Sequence, residues 1–200
     1  FHPLCRDSGP DGAALLDYLR HEFVPGEATG WTGIRRLPPG HLLRWDGRQA
    51  TVTPYWRPPA AAAAADAPGS IDEAAEAVEA DLARSVAERL VADVPVGLFL
   101  SGGLDSSLIA AMAMRQAPDI TAFSVRMPEG SYDETPYTVQ VAEHLGLRHE
   151  IVPLDGGDLV RAFETVTGLL DEPMADASLI PTYLVCEAAK RRVTVALGGD

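Results

Sequence analysis

The chain has 200 residues, a formal net charge of −13 and a sequence pI near 4.7. Hydrophobic residues make up 46% of it and charged residues 22%, which is enough apolar material for a sizeable core. An acidic surface is not attracted to the phosphate backbone of nucleic acids or to anionic membranes, so the composition argues against nonspecific binding to either. The apolar runs are all shorter than a membrane-spanning helix.

The two cysteines, Cys5 and Cys186, are too few and too far apart for a disulfide framework. This predicts a reducing, cytoplasmic location. The sequence begins at Phe1 rather than at methionine and stops at Asp200, directly after an apolar strand pattern. We therefore expect an internal fragment of a longer protein.

The first third of the sequence differs in character from the rest. The pattern from Asp11 to Phe23 predicts a short amphipathic helix, and Asp46-Gly47 between two alternating segments predicts a β-hairpin. A segment rich in proline and alanine follows and is typical of a linker. The predicted organisation is an N-terminal part at 1–57, a linker at 58–69 and a second domain at 70–200.

Strands alternate with helices in the second domain. Ser70 and Glu73 form a capping box that predicts a helix ending near Ala92, with its apolar residues on one face. The predicted strands are 96–100, 120–125, 148–152 and 193–197, and the later helices are 105–114, 133–145, 159–170 and 181–191. This alternation indicates the α/β class with a doubly wound parallel sheet, whose ligands bind at the carboxyl ends of the strands.

The segment Ser101–Ser107, Ser-Gly-Gly-Leu-Asp-Ser-Ser, joins the first of these strands to its helix, and we call it the glycine loop. Glycines bring backbone N–H groups close to a ligand, and the following helix N-terminus favours an anion such as phosphate. The loop lacks the lysine of a Walker motif and the spacing of a Rossmann fingerprint. An ordinary strand-to-helix turn is the alternative, but the whole string resembles the pyrophosphate-binding loop of the ATP-pyrophosphatase superfamily.

Further strings narrow the resemblance. Leu37–His41 and Tyr55-Trp56 resemble the close of a glutaminase domain, whereas Asp171–Ser178 and Leu197–Asp200 resemble parts of a synthetase domain. Ser131–Glu134, followed by the helix ending at Gly146, is similar to the second strand–helix unit of the same family. The chain thus resembles the glutamine-hydrolysing asparagine synthetases over nearly its whole length.

This resemblance implies a fold and a reaction. The fold is the adenine nucleotide α-hydrolase-like, ATP-pyrophosphatase type of sheet, preceded by the end of a mostly β N-terminal-nucleophile glutaminase domain. The reaction is amide formation: ATP adenylates the side-chain carboxylate of L-aspartate, and ammonia from L-glutamine gives L-asparagine, AMP and pyrophosphate. ATP and Mg²⁺ are the implied cofactors, and the resemblance leaves room for a homodimer of the full-length protein. We expect this fragment alone to be inactive, because the glutaminase catalytic residues are absent from it.

The resemblance also assigns site residues. Phosphate contacts fall to Ser101, Gly102, Gly103, Ser106 and Ser107. Backbone contacts to the nucleotide fall to Leu100, Val125, Gly198 and Gly199. Asp105 and Asp200 are the candidate metal ligands, and Asp176 is a weaker candidate for metal or substrate.

Several other readings are plainer. His144 and His149 lack the spacing of a helical metal pair and are interpreted as ordinary surface residues, and Cys186 as a small buried hydrophobe. Asp133 and Glu134 are interpreted as helix-capping residues. Three alternatives stay open: a sister amidotransferase or lactam synthetase with another carboxylate substrate, a nucleotide sensor without chemistry, and an interaction module.

Overall fold

A computed structural model describes residues 7–59, 68–127 and 133–199 of the chain. These residues divide into two compact units. The first comprises residues 7–59 together with Leu169–Ala177. The second comprises Pro68–Gly168 and residues 178–199, without the undescribed positions.

The first unit contains one helix and one hairpin among its described residues. Helix α1, Gly12–His21, begins where the Asp11 carboxylate accepts hydrogen bonds from Ala13 N and Ala14 N, at 3.0 and 3.1 Å. Strands β1, His41–Trp45, and β2, Ala50–Pro54, pair antiparallel. Most of the hairpin side chains are exposed on both faces, so this unit buries little apolar surface within the described part of the chain.

The segment Leu169–Ala177 belongs to the first unit, although its first residue is the last residue of a helix of the second. Arg36 forms a fork with the Glu172 carboxylate, in which Nε lies 3.1 Å from Oε1 and Nη2 contacts Oε2. Ala175 N donates to Glu22 O at 2.8 Å. The sequence analysis included this segment in the second domain at 70–200 and did not predict its contacts with the first unit.

The second unit has the predicted alternation of strands and helices. Its helices are α2 (Ile71–Leu90), α3 (Leu104–Met114), α4 (Thr135–Leu145), α5 (Gly156–Leu169) and α6 (Leu179–Ala189). Its strands are β3 (Val96–Phe99), β4 (Thr121–Arg126), β5 (Arg148–Pro153) and β6 (Val195–Leu197). Gly146 ends α4 in the left-handed conformation. At the other end, Glu134 is the N-cap residue but makes no side-chain capping bond, whereas the Asp133 carboxylate accepts from Thr135 N at 3.1 Å.

The four strands of this unit form one parallel sheet in the order β5-β4-β3-β6. Alternate residues of a strand face opposite sides of a sheet. Ala122 packs with residues of α2, α3 and α4, whereas Phe123 packs with Val185 and Ala189 of α6. Helices therefore cover both faces, which confirms the α/β class and the doubly wound parallel sheet.

Helix α2 is covered along only part of its predicted apolar face. Val86 is buried and Leu82 packs against the same core, but Ile71 and Val78 are exposed. In the described residues, none of the helices combines the length and the apolar character needed to cross a membrane.

Candidate functional site

The glycine loop lies at the carboxyl end of β3 and leads directly into α3. Gly102 has φ +77°, a backbone conformation that residues with a side chain rarely adopt. A Cβ at this position would lie 2.7 Å from Tyr137 Cβ and 3.1 Å from Thr138 N, both in α4. Position 102 therefore requires glycine for two reasons: the backbone conformation of the turn and the close approach of α4.

Three serine hydroxyls hold the loop together from inside. Ser106 is 4% exposed, and its Oγ accepts from Ser101 N at 3.2 Å and lies 3.0 Å from Ser101 Oγ. Ser107 Oγ donates to Gly103 O at 2.6 Å, and Ser106 Oγ donates to the same carbonyl at 3.3 Å. These bonds fix the loop conformation. The buried Ser106 hydroxyl thus stabilises the loop through hydrogen bonds to its backbone, whereas Ser101 and Gly103 are exposed.

The N-terminal turn of α3 supplies the electrostatics of the site. The first N–H groups of a helix have no acceptor within it, and they form the positive end of the helix dipole. Asp105 lies in this turn and is exposed. The turn can thus bind an anion through backbone N–H groups while Asp105 presents a carboxylate beside it.

Gly199 approaches the same turn from the end of β6. A Cβ on Gly199 would lie 2.5 Å from Ser106 N and 2.6 Å from the Asp105 carbonyl carbon. Only a residue without a side chain fits this separation. Gly198 has room, because its nearest neighbour would be Phe99 Cδ2 at 3.8 Å. The structure therefore brings the two predicted backbone segments, the glycine loop and Gly198-Gly199, together at the carboxyl ends of β3 and β6.

Leu100 and Val125 end adjacent strands beside the loop. Leu100 is buried, its N–H donates to Phe123 O at 3.0 Å, and its carbonyl accepts from Ser124 Oγ. Val125 is half-buried and pairs with Val152 of β5. Since the Leu100 N–H is engaged in the sheet, its carbonyl is the group that remains for a second contact.

The two further acidic candidates are placed differently. Asp200 lies outside the described residues, and Asp176 falls in the segment assigned to the first unit. Over the described part of the chain, no group of three or more His, Cys, Asp or Glu side chains could hold a metal ion. Mg²⁺ is usually bound by one or two carboxylates together with substrate phosphates, and Asp105 fits that mode of binding.

Comparison with known proteins decides the family. The profile described as asparagine synthase matches residues 77–200, which include β3, the glycine loop and Gly199. The chain belongs to the asparagine synthase family. This confirms the resemblance inferred from its motifs.

Relatives extend the similarity to the first unit. The chain is 35% identical over 197 residues to a protein named as a glutamine-hydrolysing asparagine synthetase in Mycobacterium tuberculosis, covering 97% of this chain and 30% of that protein. It is 30% identical over 192 residues to asparagine synthetase 1 of Bacillus subtilis, covering 95% and 30%. It is 31% identical over 176 residues to the amidase chry2 of Gibberella zeae, covering 80% and 26%. The chain thus spans about 30% of the length of these relatives.

Two side chains of this member of the family differ from their sequence-based interpretation. His149 is half-buried, and its Nε2 lies 2.8 Å from Ser124 Oγ, so it is not an ordinary surface residue. Burial lowers the pKa of His149. Cys186 is exposed, which corrects its reading as a buried hydrophobe, although partial burial still raises its pKa. The contact of His149 with Ser124 joins two strands and had no signal in the linear sequence.

Proposed function

We propose that this chain carries the ATP-binding part of an amide-forming ligase that converts L-aspartate to L-asparagine. The observation that carries the proposal is the glycine loop, held rigid by its serines at the N-terminus of α3 with Gly199 packed against it. A loop of this kind without a Walker lysine suits pyrophosphate as a leaving group better than transfer of the γ-phosphoryl group. Membership of the asparagine synthase family supports the same reaction.

The proposed reaction has two steps. A carboxylate oxygen of aspartate attacks the α-phosphorus of ATP, the bond to the bridging oxygen breaks, and pyrophosphate leaves. Ammonia then attacks the acyl carbon of the aspartyl-adenylate, loses a proton, and AMP departs with the original carboxylate oxygen. Adenylation is needed because a free carboxylate is a poor acceptor for ammonia, whereas AMP is a good leaving group.

The residues of the site have distinct roles in this proposal. Backbone N–H groups at Gly102, Gly103 and the first turn of α3 bind the leaving pyrophosphate, and donors preorganised for developing charge are worth most in such a step. The Ser101 and Ser107 hydroxyls border this anion site. Asp105 would hold Mg²⁺, which neutralises charge on the phosphates. The backbone at Leu100, Val125, Gly198 and Gly199 borders the nucleoside, while Ser106 shapes the loop from within.

We also propose that residues 1–57 belong to a glutaminase domain that supplies ammonia. One face of the hairpin β1–β2 leaves Leu43, Trp45 and Val52 exposed, and an apolar patch of this kind indicates a surface that further protein covers. Residues 58–69 would then link this domain to the ATP-binding domain at 70–200. We further propose that the full-length protein acts on small-molecule substrates, is located in the cytoplasm and forms a homodimer.

A sister enzyme is the second candidate. One relative is named an amidase, so the family includes proteins whose names do not refer to asparagine. Such an enzyme would use the same loop to adenylate a different carboxylate and would form another amide or a lactam.

Carboxylate-dependent exchange of labelled pyrophosphate into ATP tests both candidates in the full-length gene product. We expect exchange with L-aspartate and background rates with L-glutamate, succinate and no carboxylate. Exchange that depends on another carboxylate would assign the sister reaction. Nucleotide binding without exchange for any carboxylate would identify a sensor and contradict the proposed function.

A further inference from the structure

The peptide between Leu100 and Ser101, where β3 passes into the glycine loop, is bound on both sides by serine hydroxyls. Its carbonyl oxygen, Leu100 O, accepts from Ser124 Oγ. Its N–H, Ser101 N, donates to Ser106 Oγ at 3.2 Å. The Leu100 N–H is in turn held by Phe123 O at 3.0 Å. The orientation of this peptide plane is therefore set by β4 and by the first turn of α3 together.

His149 adds a third member to this arrangement. It lies on β5 beside Ala122 of β4, and its side chain reaches diagonally to Ser124, two residues further along that strand. Such diagonal neighbours on one face of a sheet are within reach of long side chains. Ser124 is 4% exposed and His149 is half-buried, so water competes little for the contact at Ser124.

The direction of the hydrogen bonds follows from proton counting. A serine hydroxyl has one proton, and a carbonyl oxygen can only accept. Ser124 gives its proton to Leu100 O, so its oxygen must accept from His149, which therefore carries a proton on Nε2. The result is a chain of donors from His149 through Ser124 to the peptide that begins the glycine loop.

We propose that His149 and Ser124 are positioning residues that orient the glycine loop for the leaving pyrophosphate, an inference that rests on the proposed function. They act through the Leu100–Ser101 peptide, whose carbonyl accepts from Ser124 Oγ and whose N–H donates to Ser106 Oγ. A rotation of that peptide would turn Ser101 N away from Ser106 and alter the aim of the loop N–H groups. Small misplacements of such groups have large effects on rate.

The first test needs no activity. In the full-length gene product, nitrogen-15 NMR of the His149 ring should show the Nε2–H tautomer near neutral pH. Ser124→Ala should speed amide hydrogen exchange at Ser101 about 5- to 30-fold, the effect of losing one buried hydrogen bond. An Nδ1–H tautomer, or unchanged exchange at Ser101 in Ser124→Ala, would overturn the proposal.

The second test is kinetic. We expect His149→Leu and Ser124→Ala to lower kcat for ATP–pyrophosphate exchange about 5- to 30-fold, with a smaller change in the KM for ATP. His149→Gln should restore much of the rate, because its amide can donate to Ser124. His21→Leu, at the exposed end of α1 in the first unit, is the control and should behave as wild type. Thermal unfolding of each variant separates lost stability from lost positioning.

The outcomes distinguish the two proposals. If His149→Leu and His149→Gln lose equal activity, or if both match His21→Leu, the positioning role is wrong while the ligase remains. If wild type binds ATP without exchange, the proposed function fails, and the positioning role is then decided by amide hydrogen exchange at Ser101, which Ser124→Ala should speed. Absence of ATP binding by wild type would overturn both.

Discussion

Asp105 places an exposed carboxylate in the first turn of α3, beside the N–H groups proposed to bind pyrophosphate. We predict that Asp105→Asn lowers carboxylate-dependent pyrophosphate exchange by about two orders of magnitude, the usual effect of losing one electrostatic stabiliser. Folding should be largely preserved, since asparagine has nearly the same shape and the side chain is exposed. The measurement is exchange rate together with the thermal midpoint.

Asp93→Asn is the matched control, because Asp93 is also exposed but lies before the amino end of β3, whereas Asp105 lies beyond its carboxyl end. It should leave the exchange rate unchanged. If Asp105→Asn has a much lower thermal midpoint but a normal exchange rate, this carboxylate only stabilises the N-terminus of α3.

Single residues also show where the sequence was informative. The string Ser-Gly-Gly-Leu-Asp-Ser-Ser identified the loop, because glycine geometry and helix-terminal donors depend on residues close in the sequence. It could not distinguish the roles of the serines, since the burial of Ser106 depends on how the loop folds back on itself. The contact between His149 and Ser124 depends on strand pairing and was equally beyond reach.

At the scale of elements, the close approach of Gly199 to α3 joins the end of β6 to the glycine loop. We predict that Gly199→Ala destabilises the fold by about 1–3 kcal/mol, as overpacking does, because its Cβ would meet helix backbone that cannot rotate away. Gly198→Ala serves as the stability control, since its Cβ would have ordinary contacts. Urea unfolding of both variants measures the difference, and equal midpoints would contradict the described packing.

The segment Leu169–Ala177 is a second element-scale feature, held to the first unit by the fork between Arg36 and Glu172. Both side chains are partly shielded, with 37% and 25% exposure, so we expect a larger contribution than that of a fully exposed pair. Glu172→Gln should accelerate hydrogen exchange at Ala175 N about fivefold, corresponding to about 1 kcal/mol.

Asp119→Asn provides the comparison, because its pairing with Arg148 is far more exposed. That variant should leave exchange at Ala175 unchanged. Equal rates in Glu172→Gln and wild type would mean that the fork does not hold the segment.

The elements themselves were largely predictable. The cap at Ser70, the helix end at Gly146 and the alternation of apolar runs predicted the helices and strands of the second unit to within a few residues. Sheet order and the excursion of Leu169–Ala177 were not, because both depend on pairing between distant parts of the chain. The exposure of Ile71 and Val78 in α2 likewise follows from what packs beside that helix.

At the scale of the whole molecule, the chain combines an acidic surface with a site built mainly from backbone N–H groups. A net charge of −13 repels a polyanion, so in the proposed function ATP is attracted locally by the helix terminus and by its own cation. We expect these groups to direct the reaction to the α-phosphorus of ATP rather than to the γ-phosphorus.

Oxygen-18 transfer from the substrate carboxylate distinguishes attack on the α-phosphorus from attack on the γ-phosphorus. The full-length gene product is incubated with ATP, Mg²⁺, ammonia and L-aspartate labelled in its side-chain carboxylate, and the products are analysed by mass spectrometry and phosphorus NMR. Attack on the α-phosphorus predicts one labelled oxygen in AMP, with unlabelled pyrophosphate. Label in inorganic phosphate, with ADP as the nucleotide product, would contradict the account.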